Sequence, residues 1–190
     1  MVVLNKIYTR SGDDGETGIG DGSRVSKLDA RIIAGGSVDE TNSLLGVAAA
    51  SCSDVAIKEL IEAIQQRLFD LGADITVPWI ADASEDRCPR IAKRHIDWLE
   101  QQIDRINADL SALTSFILPG GTALAAAVHV ARSVCRRAEV DVIRLQQELT
   151  INPMIAVFMN RLSDLLFVLA RSCNDSGKAD VLWQPDKATP

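Results

Sequence analysis

Asp54-Val55-Ala56-Ile57-Lys58-Glu59-Leu60-Ile61-Glu62-Ala63-Ile64-Gln65-Gln66-Arg67-Leu68-Phe69-Asp70-Leu71-Gly72-Ala73-Asp74-Ile75-Thr76 is the stretch that decides the fold. Ile57, Leu60, Ile61, Ile64, Leu68, Leu71 and Ile75 recur mostly at intervals of three and four. That spacing lays one apolar stripe along a helix and leaves the charges on the opposite side. Pro78 stops the segment, since proline has no N–H to extend the helical ladder. A helix with one apolar stripe must bury it against others.

Four further helical segments flank it. The first, about Asp29 to Ser51, contains Ser37-Val38-Asp39-Glu40, whose Ser and Glu fit a capping box or an internal restart, and Gly35-Gly36 should weaken it there. A polar connection from Ala81 to Pro89, expected to be a mobile loop, leads into a third segment, about Arg90 to Ser111. There Ile91, Ile96, Leu99, Ile103, Ile106 and Leu110 face inward. A fourth runs from about Ala123 to Leu149, and Asn152-Pro153 opens a fifth that ends near Cys173. Short connections imply antiparallel neighbours, and no internal repeat or strand-and-turn alternation is visible. The expected fold is all-α: an up-and-down five-helix bundle over residues 28–173, preceded by an irregular N-terminal loop (1–27) and followed by a tail of little periodicity (174–190).

With 190 residues and 47% hydrophobic content, the chain can bury a sizeable core as one domain. Its net charge of -6 argues against nucleic acid, because no broad basic surface is available to neutralise a phosphate backbone. An anionic small molecule would need positive charge focused locally. No segment reaches the ~18 consecutive apolar residues of a membrane span, and the N-terminus lacks a signal-peptide pattern. Cys52, Cys88, Cys135 and Cys173 lie far apart without paired spacing, which suggests neither a zinc ribbon nor a redox dithiol. They read as small buried hydrophobes in a reducing compartment, so a cytoplasmic location is expected.

Three polar constellations stand outside this core pattern. The run Tyr8-Thr9-Arg10-Ser11-Gly12-Asp13-Asp14-Gly15-Glu16-Thr17-Gly18-Ile19-Gly20-Asp21-Gly22-Ser23-Arg24 holds five glycines, hydroxyls and charges of both signs. With Arg10, Arg24 and the following Lys27 it reads as a polyphosphate cradle, since glycines let backbone N–H groups converge on an anion; a flexible arm is the plainer alternative. It is neither a Gly-x-x-x-x-Gly-Lys-Ser/Thr loop nor a Gly-x-Gly-x-x-Gly turn. In the fourth segment, His129, Arg132, Arg136 and Glu139 share a face, with Arg137 about a hundred degrees away. Aligned guanidiniums emerging from a small, apolar helix need an anion, and their fork fits phosphate oxygens; a solvated charged face or an internal ion pair is the plainer alternative. In the fifth, Asn160 and Asp164 lie four apart in an apolar sequence, and serve either a structural network or a ligand or metal.

These residues fall into motifs: Lys6 to Gly15, Ser37 to Gly46, Phe116-Ile117-Leu118-Pro119-Gly120-Gly121-Thr122, His129 to Glu139, and Asn160-Arg161-Leu162-Ser163-Asp164. In content and order the chain resembles, over nearly its full length, the PduO-type ATP:corrinoid adenosyltransferases. The resemblance implies a ferritin-like, cobalamin adenosyltransferase-like bundle that assembles as a homotrimer, with ATP between subunits and the N-terminal loop wrapped around it. Carried over by position, Thr9, Arg10, Ser11, Gly12, Asp13, Gly15, Thr17, Gly18 and Lys27 would contact ATP. Arg136, Arg137 and Glu139 would complete that site, and Asn160 would help hold Mg²⁺. Asp39 would pair with Arg132 across the subunit interface, and Phe116 would lie against the corrin ring, favouring a cobalamin whose lower base is displaced. Arg132, Arg136, Phe116 and Asp39 are thus the expected catalytic set.

The implied reaction is attack by cob(I)alamin, or another cob(I)rrinoid, on C5′ of ATP, giving adenosylcobalamin and triphosphate. Cobalt itself is the nucleophile, so no Ser-His or Cys-His pair is needed, and the protein must position and neutralise. A cob(I) nucleophile works best with a free axial position, so His129 is expected to be packed or hydrogen-bonded rather than a cobalt ligand. The chain departs from the family pattern at Val140, where a further arginine is common, at Gly36 and at Glu16. A corrinoid reductase and an adenosylcobalamin-dependent acceptor enzyme are the implied partners. Rival readings are a non-catalytic ATP-dependent adenosylcobalamin carrier and a structural trimer regulated by ATP. A helical di-iron protein is disfavoured, because neither histidine follows a glutamate at the third position before it.

Overall fold

The structure, a computed structural model, describes residues 7–79 and 88–186. Of the connection expected to be mobile, only Cys88 and Pro89 fall within the described residues. Five helices form the body: α1 Ala30–Ala50, α2 Val55–Thr76, α3 Lys93–Asn107, α4 Ala123–Glu148 and α5 Met154–Ser172. Three start on side-chain caps: Asp29 accepts from Arg31 N, Asp54 from Ile57 N and Thr122 from Ala125 N. Each such cap stabilises its helix by about 1 kcal/mol.

α1 runs unbroken through Gly35-Gly36, so no restart occurs at Ser37. Burial of Ala34, Val38 and Leu45 against the core outweighs the weak helix propensity of the two glycines, about 1 kcal/mol each. The Ser37 hydroxyl caps nothing; it donates to Asp141 Oδ2 on α4 at 2.6 Å.

The helices alternate in direction, but their principal neighbours follow the order α2, α1, α4, α5, α3. Ser37 meets Asp141 and Glu40 meets Arg137, which sets α1 antiparallel to α4. Thr122 meets Cys173 and Glu139 meets Asn160, which does the same for α4 and α5. The expectation that consecutive helices are neighbours therefore holds for α1 with α2 and α4 with α5, and fails for α3. Two long connections let α3 cross over and lie along α5, where Glu100 meets Arg161. Phe158, Leu162, Leu165 and Leu166 of α5 are fully buried in the middle of this order, with Leu45 of α1 and Leu145 of α4.

Each end of the bundle is closed by a buried carboxylate. At one end Asp74, on the last turn of α2, accepts from Arg90 at 2.6 Å, from Ile91 N at 2.8 Å and from Asn152 Nδ2 at 2.7 Å. Its side chain is fully buried. This clamp holds Arg90 and Ile91 outside the helix, which is why α3 begins later than the sequence pattern suggests. At the other end Asp180 accepts from Arg171 at 2.8 Å and from Asn174 at 3.0 Å. The chain reaches Asp180 through Asp175, Ser176 and Gly177, all in left-handed backbone with φ of 53°, 51° and 82°. For the two non-glycine residues this costs about 1–2 kcal/mol each.

The N-terminal segment is not wholly irregular, as expected, but carries a short antiparallel hairpin, β1 Glu16–Gly18 and β2 Arg24–Ser26, with Thr17 opposite Val25. Ile19 is buried at its turn. A Cβ on Gly20 would lie 2.7 Å from Thr76 Oγ1 and 3.0 Å from Val77, so only glycine lets the turn rest on the end of α2. The hairpin therefore stands at the Asp74 end of the bundle.

Candidate functional site

The predicted phosphate loop is folded and hydroxyl-rich. Thr9 Oγ1 and Ser11 Oγ lie 2.8 Å apart, and Arg10 between them takes a left-handed φ of 60°. Gly15 N donates to Gly12 O at 3.3 Å, and Lys27 N donates to Gly15 O at 2.8 Å. Lys27 Nζ sits where it would be 3.2 Å from a Cβ on Gly12, so the ammonium lies beside the glycine turn. Thr17 and Gly18 belong to β1, and Asp13 is exposed at the rim. Arg24 donates to Ser11 O, pairs with Glu16 at 3.3 Å and approaches Asp14 at 3.6 Å. The unusual Glu16 is thus matched by Arg24 inside the loop.

The second cluster lies on α4. His129 is buried, and its Nδ1 accepts from Arg132 Nε at 3.4 Å. Burial first, and the Arg132 charge second, hold His129 below the ordinary histidine value of 6.5, so it is neutral at pH 7. Burial, with Arg136 as a smaller cause, also lowers Arg132. Arg136, one turn on, is exposed and makes no hydrogen bond or ion pair among the described residues. Arg137 pairs with Glu40 of α1. Glu139 accepts from Asn160 Nδ2 at 3.0 Å, which leaves Asn160 Oδ1 uncommitted. Asp164 turns the other way, to Arg161 at 3.0 Å, and Arg161 also holds Glu100 at 2.9 Å. Asp164 is thus tied into an ion-pair network with α3, while Asn160 bridges to α4.

No group of three or more His, Cys, Asp or Glu side chains among the described residues could cage a metal ion. Asn160 Oδ1 and the remaining Glu139 oxygen fit Mg²⁺ nonetheless. This ion keeps several waters and takes most of its other ligands from substrate phosphates, so one or two protein oxygens suffice.

Beside the α4 cluster opens a cavity of about 670 Å³, lined by Leu113, Ser115, Phe116, Ile117, Pro119, His129, Arg132, Phe167 and Trp183. Phe116 is 80% exposed and meets Trp183 edge-on, with ring centroids 6.4 Å apart. Phe167 lies 6.4 Å from the His129 ring. Trp183 and Phe167 escape the sequence reading: Phe167 blends into the apolar run of α5, and Trp183 belongs to a tail without helical period. The apolar run Val181-Leu182-Trp183 was the available signal.

Some expected partners are not brought together within one chain. No hydrogen bond or ion pair joins the loop residues Thr9 to Lys27 to Arg132, Arg136, Arg137, Glu139 or Asn160. Asp39 does not touch Arg132; it lines a separate groove between α1 and α2, with Phe69, Gly72 and Thr76. Asn42 lines the same groove and is buried with its Oδ1 unsatisfied.

A family model described as cobalamin adenosyltransferase matches residues 7–173. The corrinoid adenosyltransferase of Mycobacterium tuberculosis is 47% identical over 189 residues, covering 97% of this chain and 95% of that protein. The cobalamin adenosyltransferase of Cupriavidus metallidurans is 44% identical over 189 residues, covering 97% of each. Among solved structures, a variant PduO-type ATP:corrinoid adenosyltransferase from Lactobacillus reuteri, complexed with cobalamin and ATP, superimposes with a TM-score of 0.86 at 39% identity, covering 95% of this chain and 97% of that one. A second variant from that organism, complexed with ATP, gives 0.84 at 38%, covering 94% and 100%. Motifs, helical architecture and these likenesses agree, and the chain belongs to the cobalamin adenosyltransferase family.

Proposed function

We propose that this protein is an ATP:corrinoid adenosyltransferase, which moves the 5′-deoxyadenosyl group of ATP to the cobalt of a cob(I)rrinoid such as cob(I)alamin. One observation carries the site assignment: Arg132 and Arg136 share a helix face beside an aromatic cavity, and neither has a carboxylate partner among the described residues. In the reaction the cobalt electron pair forms a bond to C5′, the C5′–O bond to the α-phosphate breaks, and its electrons leave on triphosphate. Catalysis then rests on positioning and on stabilising the charge of the leaving group.

Each group has a role in that scheme. Thr9, Ser11, Thr17 and the glycine N–H groups bind ATP, with Lys27 and Arg10 giving positive charge. Arg136 and Arg137 face the phosphates. Asn160 and Glu139 would hold Mg²⁺ together with the phosphates, and the ion would supply further charge neutralisation. Phe116, exposed and aromatic, lies against the corrin and keeps water and a lower axial ligand from the cobalt. The neutral His129 holds Arg132 by accepting from it, which accords with a histidine that does not ligate cobalt.

Because the loop and the α4 cluster do not meet in one chain, the site forms between subunits of a homotrimer, with Asp39 of one subunit pairing with Arg132 of the next. The four free cysteines accord with a reducing cytoplasm, where a corrinoid reductase supplies the cob(I) state and an adenosylcobalamin-dependent enzyme receives the product. Among the described residues no helix is long and apolar enough to cross a membrane.

An anaerobic assay with Mg-ATP and chemically reduced cobalamin tests the activity. Loss of the cob(I) spectrum with formation of adenosylcobalamin and one equivalent of triphosphate is expected. ATP and corrinoid binding without product would turn the assignment to a carrier, and sedimentation as a monomer would sink the shared site.

A further inference from the structure

We infer that the buried Arg171–Asp180 pair is a positioning element for the corrinoid: it anchors the C-terminal tail, and the tail in turn sets Phe116. This rests on the functional reading above, in which Phe116 and the cavity beside it receive the corrin.

Arg171 is the last arginine of α5, and both it and Asp180 have only 4% of their side chains exposed. Arg171 donates through Nε to Asp180 and through Nη2 to Ser111 O at 3.0 Å, so one guanidinium holds the tail and the start of the Phe116 loop together. Asn174 reinforces the pair, and the Asn174 amide fills the space where a Cβ on Gly121 would stand. The left-handed run Asp175-Ser176-Gly177 is the turn needed to bring Asp180 back to Arg171. Strained backbone of this kind persists where its surroundings over-determine it.

Over the three residues that follow Asp180 the tail pairs with the loop as a short antiparallel bridge. Leu118 N donates to Val181 O at 2.8 Å, Trp183 N donates to Phe116 O at 2.7 Å, and the Ser115 hydroxyl donates to Trp183 O at 2.9 Å. Phe116 side-chain exposure is high, so packing does not fix this residue; its main chain is fixed by the tail. A relay therefore runs from the buried pair, through Val181 to Trp183, to the backbone of Phe116 and the wall of the cavity. If this order is prepaid by the buried pair, the corrinoid binds without having to organise its own site.

The test uses the full-length protein with fluorotryptophan incorporated, the Trp183 ¹⁹F resonance being identified through Trp183→Phe. In Asp180→Asn the Trp183 resonance should shift toward that of a solvated indole, while those of Trp79 and Trp98 report that the bundle is intact. Affinity for cob(II)alamin in the presence of ATP should fall about tenfold, the scale of losing a pre-ordered loop, with ATP affinity and turnover at saturating corrinoid kept. Trp183→Pro leaves the buried pair in place and removes the N–H that holds Phe116; it should weaken corrinoid, not ATP, by more than Trp183→Ala does. Trp183→Pro with unchanged corrinoid affinity overturns the relay even if Asp180→Asn does not fold. A displaced Trp183 in Asp180→Asn with unchanged corrinoid affinity overturns it too. If the unmodified protein binds no corrinoid, the functional reading fails first, and this inference with it.

Discussion

Two pairs of arginines in this bundle meet opposite fates. Arg90 and Arg171, at the two ends, each face a buried carboxylate at 2.6 and 2.8 Å, and their further donors are taken by backbone carbonyls. Among the described residues Arg132 and Arg136, halfway along α4, meet a neutral histidine and no partner, respectively. The first pair shows what the fold does with a guanidinium it uses itself. The second has no carboxylate partner among the described residues.

The comparison can be broken most forcefully at Asp74. Asp74→Ala leaves Arg90 buried without its carboxylate and orphans Ile91 N, and loss of one partner of a buried pair costs about 3–5 kcal/mol of stability. Urea unfolding measures this, and an unchanged midpoint would mean that the pair is not structural. Arg136→Ala should do the reverse. Its stability should match that of the parent protein while turnover falls by a factor equivalent to about 3–4 kcal/mol, by analogy with the removal of one oxyanion donor. Near-parental steady-state rates would end its assignment to the leaving group.

A subtler distinction lies in pH. His129 is held below 6.5 by burial and by Arg132, so the unfolded chain takes up a proton there that the folded chain resists. Stability is fully present above 6.5 and declines as the pH falls through that value toward the folded one. His129→Gln should flatten this part of the urea-midpoint profile; an unchanged slope would show that other groups carry it. The smallest effect is expected at Glu40, whose pair with Arg137 is half exposed on both sides. Glu40→Gln should change stability by no more than a few tenths of a kcal/mol, since exposed pairs are weak.

The sequence made much of this legible where local periodicity governs. The stripe from Ile57 to Ile75 and the shared face of Arg132 and Arg136 are properties of one helix read alone. What it hid is non-local. The position of α3 against α5 depends on long connections, and the fate of Asp74 depends on Arg90 and Asn152, which lie 16 and 78 residues away. Trp183 was hard to see because the single bridge beside it, Leu182 with Ile117, has no period to detect. The hairpin was masked by glycines that serve turns and ligand approach alike, and the charge of Glu16 is met by the side chain of Arg24 on the neighbouring strand, a non-local pairing.

The neighbour order of the helices also bears on how the chain is made. α1 bonds to α4 through Ser37 and Asp141, 104 residues apart, and Glu40 and Arg137, 97 apart. A ribosome adding about 5–20 residues per second needs several seconds to bridge that gap. During that interval the nascent α1–α2 hairpin carries an apolar flank with no cognate helix, and the bundle closes only when its second half leaves the exit tunnel.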